Sequence, residues 1–169
     1  MSPKNCMVAQ SGGPTVAINA SLAGVIDGVM RSDMYDTVYG SLNGITGILN
    51  NDLTNLSELM QQNSEYLDRL KVTPAMYLGS CRYKLPNYLD DDSSYVFIFK
   101  QFETYHIDAF FYIGGNDSMD TVLKLSEYGK KSAVLCVLSV FQRPSTMISV
   151  RQTIHQDSVL PQNISHLLF

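Results

Sequence analysis

Charge is scarce in this chain: 17% of its 169 residues are Asp, Glu, Lys or Arg, and the formal net charge is −4. No block of Lys or Arg occurs, so the basic footprint that nucleic acid or an anionic membrane surface requires is missing. Neither is expected as a partner. No apolar run approaches the roughly eighteen residues of a membrane span, and the opening stretch "MSPKNCMVAQSGG" has no signal-peptide core. A cytoplasmic protein is the expectation. Cys6, Cys81 and Cys136 are odd in number and far apart, which excludes a disulfide framework and a zinc pattern; each is expected to be a small buried apolar side chain. His106, His155 and His166 lack metal-ligand spacing. Internal repeats and low-complexity segments are also missing. What is present is an apolar fraction of 45%, enough for the core of about one domain.

The apolar residues fall into alternating patterns. "NCMVAQ" is a short apolar run ending at Ser11-Gly12-Gly13-Pro14, and "TVAINASLAGVIDGVM" then places Val16, Ile18, Leu22, Val25, Ile26 and Val29 at helical intervals. "DTVYGSLNG" reads as a second strand ending in Gly44, followed by short helices at "ITGILNND" and "NLSELMQQN". Pro74, Gly79 and Pro86 break "SEYLDRLKVTPAMYLGSCRYKLP" into irregular backbone of the kind that carries function. After the acids Asp90, Asp91 and Asp92, a helix is expected with an apolar face through Val96, Phe99 and Phe102. "DAFFYIGG" reads as a fully buried strand, and "DSMDTVLKLSEYG" as a helix capped by its own acids and closed by Gly129. The βαβα alternation predicts an α/β fold with a parallel sheet.

Both Gly12-Gly13 and Gly114-Gly115 sit between a strand and a helix. A glycine pair there lets the backbone approach a ligand closely, and the free N–H groups of the helix start favour an anion. In an open parallel sheet such turns lie at the carboxyl ends of the strands, where two of them can converge on one phosphate chain. Neither turn is a Walker A or G-x-G-x-x-G motif, and glycines after strands also serve simply as tight turns.

"QSGGPTVAINASLAGVI", "YLGSCRYKLP" and "YIGGNDSMDTV", in that order, resemble the 6-phosphofructokinase family, specifically its diphosphate-dependent members. The resemblance covers about residues 5–130 and implies the donor-binding part of that family's N-terminal, Rossmann-like lobe, with the second lobe missing. It implies transfer of a phosphoryl group to the 1-hydroxyl of fructose 6-phosphate, with Mg2+ on the diphosphate donor, in proteins that are usually homo-oligomers. By position, Gly12 and Gly13 would face the donor phosphate, Arg82 and Tyr83 would contact the donor, and Gly115, Asn116, Asp117 and Ser118 would hold the magnesium-phosphate unit. Arg82 lies between Gly79 and Lys84, a setting that suits a phosphate clamp.

Members that use ATP carry "GGDGS" where this chain has "GGNDS", so Asp117 takes the place of the glycine that makes room for the α-phosphate of ATP. Two like charges about 4 Å apart repel by about 4 kcal/mol at an effective dielectric of about 20. That corresponds to about a thousandfold against ATP. Diphosphate, with no third phosphate, avoids the clash. Asp117 is thus the expected donor-selecting residue of the catalytic site, while also suiting the front of a helix, with Asp120 supporting the dipole. Asn116, a neutral amide, is the expected metal-side residue, through water. The alternatives are an ATP-dependent 6-phosphofructokinase and a non-catalytic phosphate-binding fragment.

The tail departs from the family. Where the resemblance implies "PKTIDND", whose Lys steadies the transferring phosphoryl group and whose first Asp is the base, the chain reads "VLCVLSVFQRPSTMIS". No Asp occurs between Asp120 and Asp157. Phe141 through Ile148 can be encoded by TTC CAA AGA CCA TCG ACA ATG ATC, and moving the frame back one base yields Val or Ile followed by Pro-Lys-Thr-Ile-Asp-Asn-Asp. Continuing in that frame permits a Leu-Gly pair, an acid or Lys, and then "TDHTPGFGSAAKYIA", which resembles the family's next segment. The expected organisation is therefore a donor-binding lobe over residues 1–133 and an out-of-frame tail over 134–169, with the slip between about Lys130 and Leu138. A strand at "AVLCVLSV" would be fortuitous or partly native, and the chain as written would bind diphosphate weakly at best and be inactive.

Overall fold

In the computed structural model, residues 4–63, 65–74, 76–132 and 136–142 are described, and the apolar runs of the sequence become the middle of one sheet. Strand β1 (Asn5–Gln10) is buried along its whole length. Its side chains alternate with the two-residue period of a strand, Cys6 and Val8 on one face, Met7 and Ala9 on the other. It pairs in parallel with β2 (Thr37–Ser41) and with β4 (Ile107–Gly114). Strand β5 (Val137–Gln142) continues the sheet parallel to β4, and β3 (Leu53–Asn55) runs antiparallel along the outer edge of β2. The strand order is β3-β2-β1-β4-β5.

Helices cover both faces. On one, α1 (Ile18–Arg31), α3 (Leu56–Gln62) and α4 (Tyr66–Val72) bring Leu22, Ile26, Leu56 and Leu70 onto Cys6, Val8 and Ala109. On the other, α2 (Ile45–Asn50), α5 (Ser93–Thr104) and α6 (Asn116–Lys131) bring Ile48, Ile98, Phe102 and Leu125 onto Met7, Phe110 and Leu138. Each fully buried aliphatic side chain contributes about 1.5–3 kcal/mol, so truncating Ile26 to Ala would cost about 2–5 kcal/mol. The chain leaves β1 through α1 toward β2, and leaves β4 through α6 toward β5 on the opposite side. The carboxyl ends of β1 and β4 are therefore adjacent at the point where strand order reverses, the position at which open α/β sheets bind ligands.

The expected α/β parallel sheet is present, with corrections. The edge strand β3 is antiparallel and falls between two predicted helices; its three residues are too few to show a strand pattern. Helix α4 lies in the stretch read as irregular, because Pro74, Gly79 and Pro86 all come after it and Leu70 anchors it in the core. Val16 precedes α1 and is 79% exposed, and Val96 is 51% exposed; α5 instead buries Tyr95, Ile98, Phe99 and Phe102. Helix α6 begins at an N-cap glycine, Gly115, with no side-chain cap, and runs past Gly129 to Lys131. Cys6 and Cys136 are buried as expected, whereas Cys81 is only partly so. Strand β5 lies within the segment expected to be out of frame; residues 133–135 and 143–169, with His155 and His166, lie outside the described residues.

Candidate functional site

The two glycine turns meet because their strands are neighbours. Gln10 pairs with Ile113 at the end of the ladder, and the Ser11 amide donates to the Ile113 carbonyl at 2.8 Å. Gly12 then adopts φ +87°, a left-handed conformation that glycine takes without strain. Across from it, a Cβ at Gly114 would run into the Ser118 side chain and stand 3.0 Å from the Ser11 carbonyl oxygen, so the turns approach as closely as they do only because Gly114 has no side chain. Gly12 and Gly13 are exposed, as are Asn116 and Asp117 in the first turn of α6, while Ser118 is 1% exposed. The backbone amides of Ser118 and Met119 are taken by the Gly115 carbonyl, each at 3.1 Å. The Ser118 hydroxyl has no hydrogen-bond partner among the described residues.

A third segment closes the group. The backbone from Leu78 to Leu85 crosses from the Gly12 turn to α6, held at one end by the Ser80 hydroxyl donating to the Gly12 carbonyl at 2.7 Å. At the other end the Lys124 ammonium donates to the Leu85 carbonyl at 3.0 Å, and the Tyr95 hydroxyl to the Pro86 carbonyl at 2.6 Å. Arg82 and Tyr83 are exposed on this crossing, with the Tyr83 hydroxyl 3.3 Å from the Ser94 hydroxyl. Lys84 Nζ lies 3.5 Å from Asp117 Oδ1. All the residues expected at the donor site therefore sit on three segments, the β1 turn, the β4 turn with α6, and the 78–85 crossing.

Several residues that build the site were not foreseen. The buried Gln10 amide donates to the Ile18 carbonyl and to Asn19 Oδ1, each at 3.2 Å, and its oxygen accepts the Leu78 amide at 2.9 Å. Asn19 in turn donates to the Thr73 carbonyl at 3.0 Å and accepts the Tyr77 amide at 2.8 Å. This polar network inside an apolar layer ties the end of β1, the start of α1 and the crossing together. A Gln closing a buried run and an Asn on the apolar face of a helix were the available signals, because buried amides require partners. Beneath the crossing, Tyr112 accepts the Ile45 amide at 3.3 Å, and burial pushes its hydroxyl far above its ordinary pKa.

Residues 5–161 match the family described as phosphofructokinase. The chain belongs to the phosphofructokinase family. It is 38% identical over 164 residues to the pyrophosphate–fructose 6-phosphate 1-phosphotransferase of Halomonas elongata, covering 96% of this chain and 36% of that protein. The protein of the same name from Methylococcus capsulatus is 40% identical over 132 residues, covering 78% of this chain and 31% of its own length. The chain thus spans about a third of the length of the curated relatives it matches. A crystal structure of the pyrophosphate-dependent phosphofructokinase of Marinobacter aquaeolei superposes with a TM-score of 0.71 at 35% identity, over 81% of this chain and 32% of that one. The Rossmann-like sheet with its two glycine turns is accordingly a lobe of the phosphofructokinase fold.

Proposed function

We propose that the chain is the donor-binding part of a diphosphate–fructose-6-phosphate 1-phosphotransferase, moving a phosphoryl group from magnesium diphosphate to the sugar 1-hydroxyl. The observation that carries this reading is the Asp117 carboxylate, exposed in the first turn of α6 where the β1 and β4 glycine turns meet. The turns and the helix start favour an anion. The carboxylate opposes a third phosphate. Its side chain is 74% exposed, so solvent reduces the repulsion from about 4 kcal/mol toward about 1 kcal/mol at about 4 Å. The bar to ATP then lies between about fivefold and about a thousandfold.

Magnesium, when bound, supplies charge neutralisation on the donor. A single amide beside the turns suits an ion that keeps several waters and leans on substrate phosphate. Asn116 would hold it through water; no group of three or more His, Cys, Asp or Glu gathers among the described residues. Gly12, Gly13, Gly115 and Ser118 would hold the diphosphate, with Arg82 and Tyr83 at its outer edge. Calorimetric titration of the purified chain with magnesium diphosphate and with magnesium ATP tests the reading. Tighter binding of ATP would overturn it in favour of an ATP-dependent enzyme.

The same reading includes a slip of the reading frame before Phe141. Its support is that residues 141–148 and those after them permit codons which, one base back, spell "PKTIDND" and the segment that follows. Strand β5 is compatible with this, since parallel pairing requires only extended backbone and apolar side chains such as Leu138. With the Asp of that motif missing, the chain turns over no fructose 6-phosphate. Sequencing the gene decides: an unbroken frame from which no one-base shift recovers the motif would refute the slip, as would turnover by the purified 169-residue chain.

A further inference from the structure

A carboxylate at the mouth of a phosphate site presents a difficulty. Diphosphate is itself a polyanion, so the Asp117 charge that opposes a third phosphate also opposes the two that must bind. The ion pair with Lys84, 3.5 Å away, bears on this. Both side chains are 74% exposed, and an exposed pair adds little to folding stability. Stability is therefore a weak reason for the contact. The backbone on either side of Lys84 is nonetheless held: Ser80 bonds to the Gly12 turn, and the Leu85 and Pro86 carbonyls are gripped by Lys124 and Tyr95. The ammonium is thus delivered from an anchored segment to the first turn of the helix that bears Asp117.

We infer that Lys84 is a further donor-admitting residue, whose ammonium offsets the Asp117 carboxylate so that the site accepts diphosphate. The inference rests on the diphosphate reading of the site. Its mechanism is particular: Lys84 acts through Asp117, so its effect on diphosphate must vanish when that charge is removed. A lysine that simply touched the donor would matter equally with or without Asp117.

Five proteins test this: the 169-residue chain, Lys84→Met, Lys84→Gln, Asp117→Asn and the Lys84→Met/Asp117→Asn double variant. Each is titrated with magnesium diphosphate at constant ionic strength, following the backbone amide NMR signals of Gly12, Gly13 and Gly115. Lys84→Met is expected to weaken binding about fivefold in the native background and by less than about twofold in the Asp117→Asn background. Equal weakening in both backgrounds, or none in either, overturns the inference. Failure of those signals to move in the unaltered chain overturns the phosphate reading and the inference with it, a result distinct from normal binding that ignores Lys84. Lys84→Gln, which keeps a polar tip without the charge, must repeat the Lys84→Met result; binding like the unaltered chain would also sink the inference.

Discussion

Replacing Gln10 with methionine removes three hydrogen bonds while nearly preserving the length and volume of the side chain. Gln10 is fully buried, so water cannot take the place of its amide. Asn19 Oδ1 keeps the Tyr77 amide, but the Leu78 amide, on a residue 1% exposed, is left without its acceptor. An orphaned buried donor costs about 1–3 kcal/mol, and the lost bonds add about 1 kcal/mol more, which gives a destabilisation of about 2–4 kcal/mol. For a chain of this length each kcal/mol lowers Tm by about 2–4 °C, so the midpoint should fall by roughly 5–15 °C. Thermal unfolding followed by circular dichroism measures the total. Hydrogen exchange locates it, with faster exchange expected at Tyr77 and Leu78, and at Asn43, whose amide donates to the Leu78 carbonyl at 2.7 Å. A fall of less than about 2 °C, or unchanged exchange at these amides, would show that the network does not hold the crossing that carries Arg82 and Lys84.

Other substitutions probe the same lobe. The Ser126 hydroxyl is buried with no partner among the described residues, so Ser126→Ala should leave urea stability unchanged or raise it by about 1 kcal/mol. Gly114→Ala should cost about 1–3 kcal/mol in the same assay, since its Cβ would lie 2.9 Å from the Ser118 Cβ, and should shift the amide signals of both glycine turns. Burial pushes the Cys6 thiol from 9.0 up to about 12. The folded state therefore holds that proton more tightly than the unfolded one, and the contribution is fully present below pH 9.0 and is lost as pH rises toward about 12, at up to about 1.4 kcal/mol per pH unit. Urea titrations across that alkaline range should show the decline, reduced in Cys6→Ala once its packing cost, visible at neutral pH, is subtracted.

The elements of the lobe were legible where the pattern is local. β1 and β4 read as buried runs, and α1, α5 and α6 as helices, because each carries enough apolar residues at one period to identify itself. Errors fell at element ends and in short pieces. Val16 and Val96 are apolar and near the right phase, yet one precedes its helix and the other faces away from the core. Three-residue β3 is held by pairing to β2, which its own residues do not announce. The candidate site was legible as a list of residues from "GGNDS" and its two companion motifs, which the fold places on three adjoining segments.

The two strand–glycine–helix units, their likeness to phosphofructokinases and the acid at the tip of the second turn are all written in contiguous residues. That the two turns are neighbours is settled by the folded sheet, in which β2 and β4 pair along the two edges of β1 while helices bury both of its faces. The same holds for Gln10 meeting the Leu78 amide 68 residues away, and for Lys84 reaching Asp117. Such partners share no periodicity and no local signal. They meet because a buried amide must find an acceptor and an anchored crossing must pass over the end of the sheet, conditions that exist only once the core has formed.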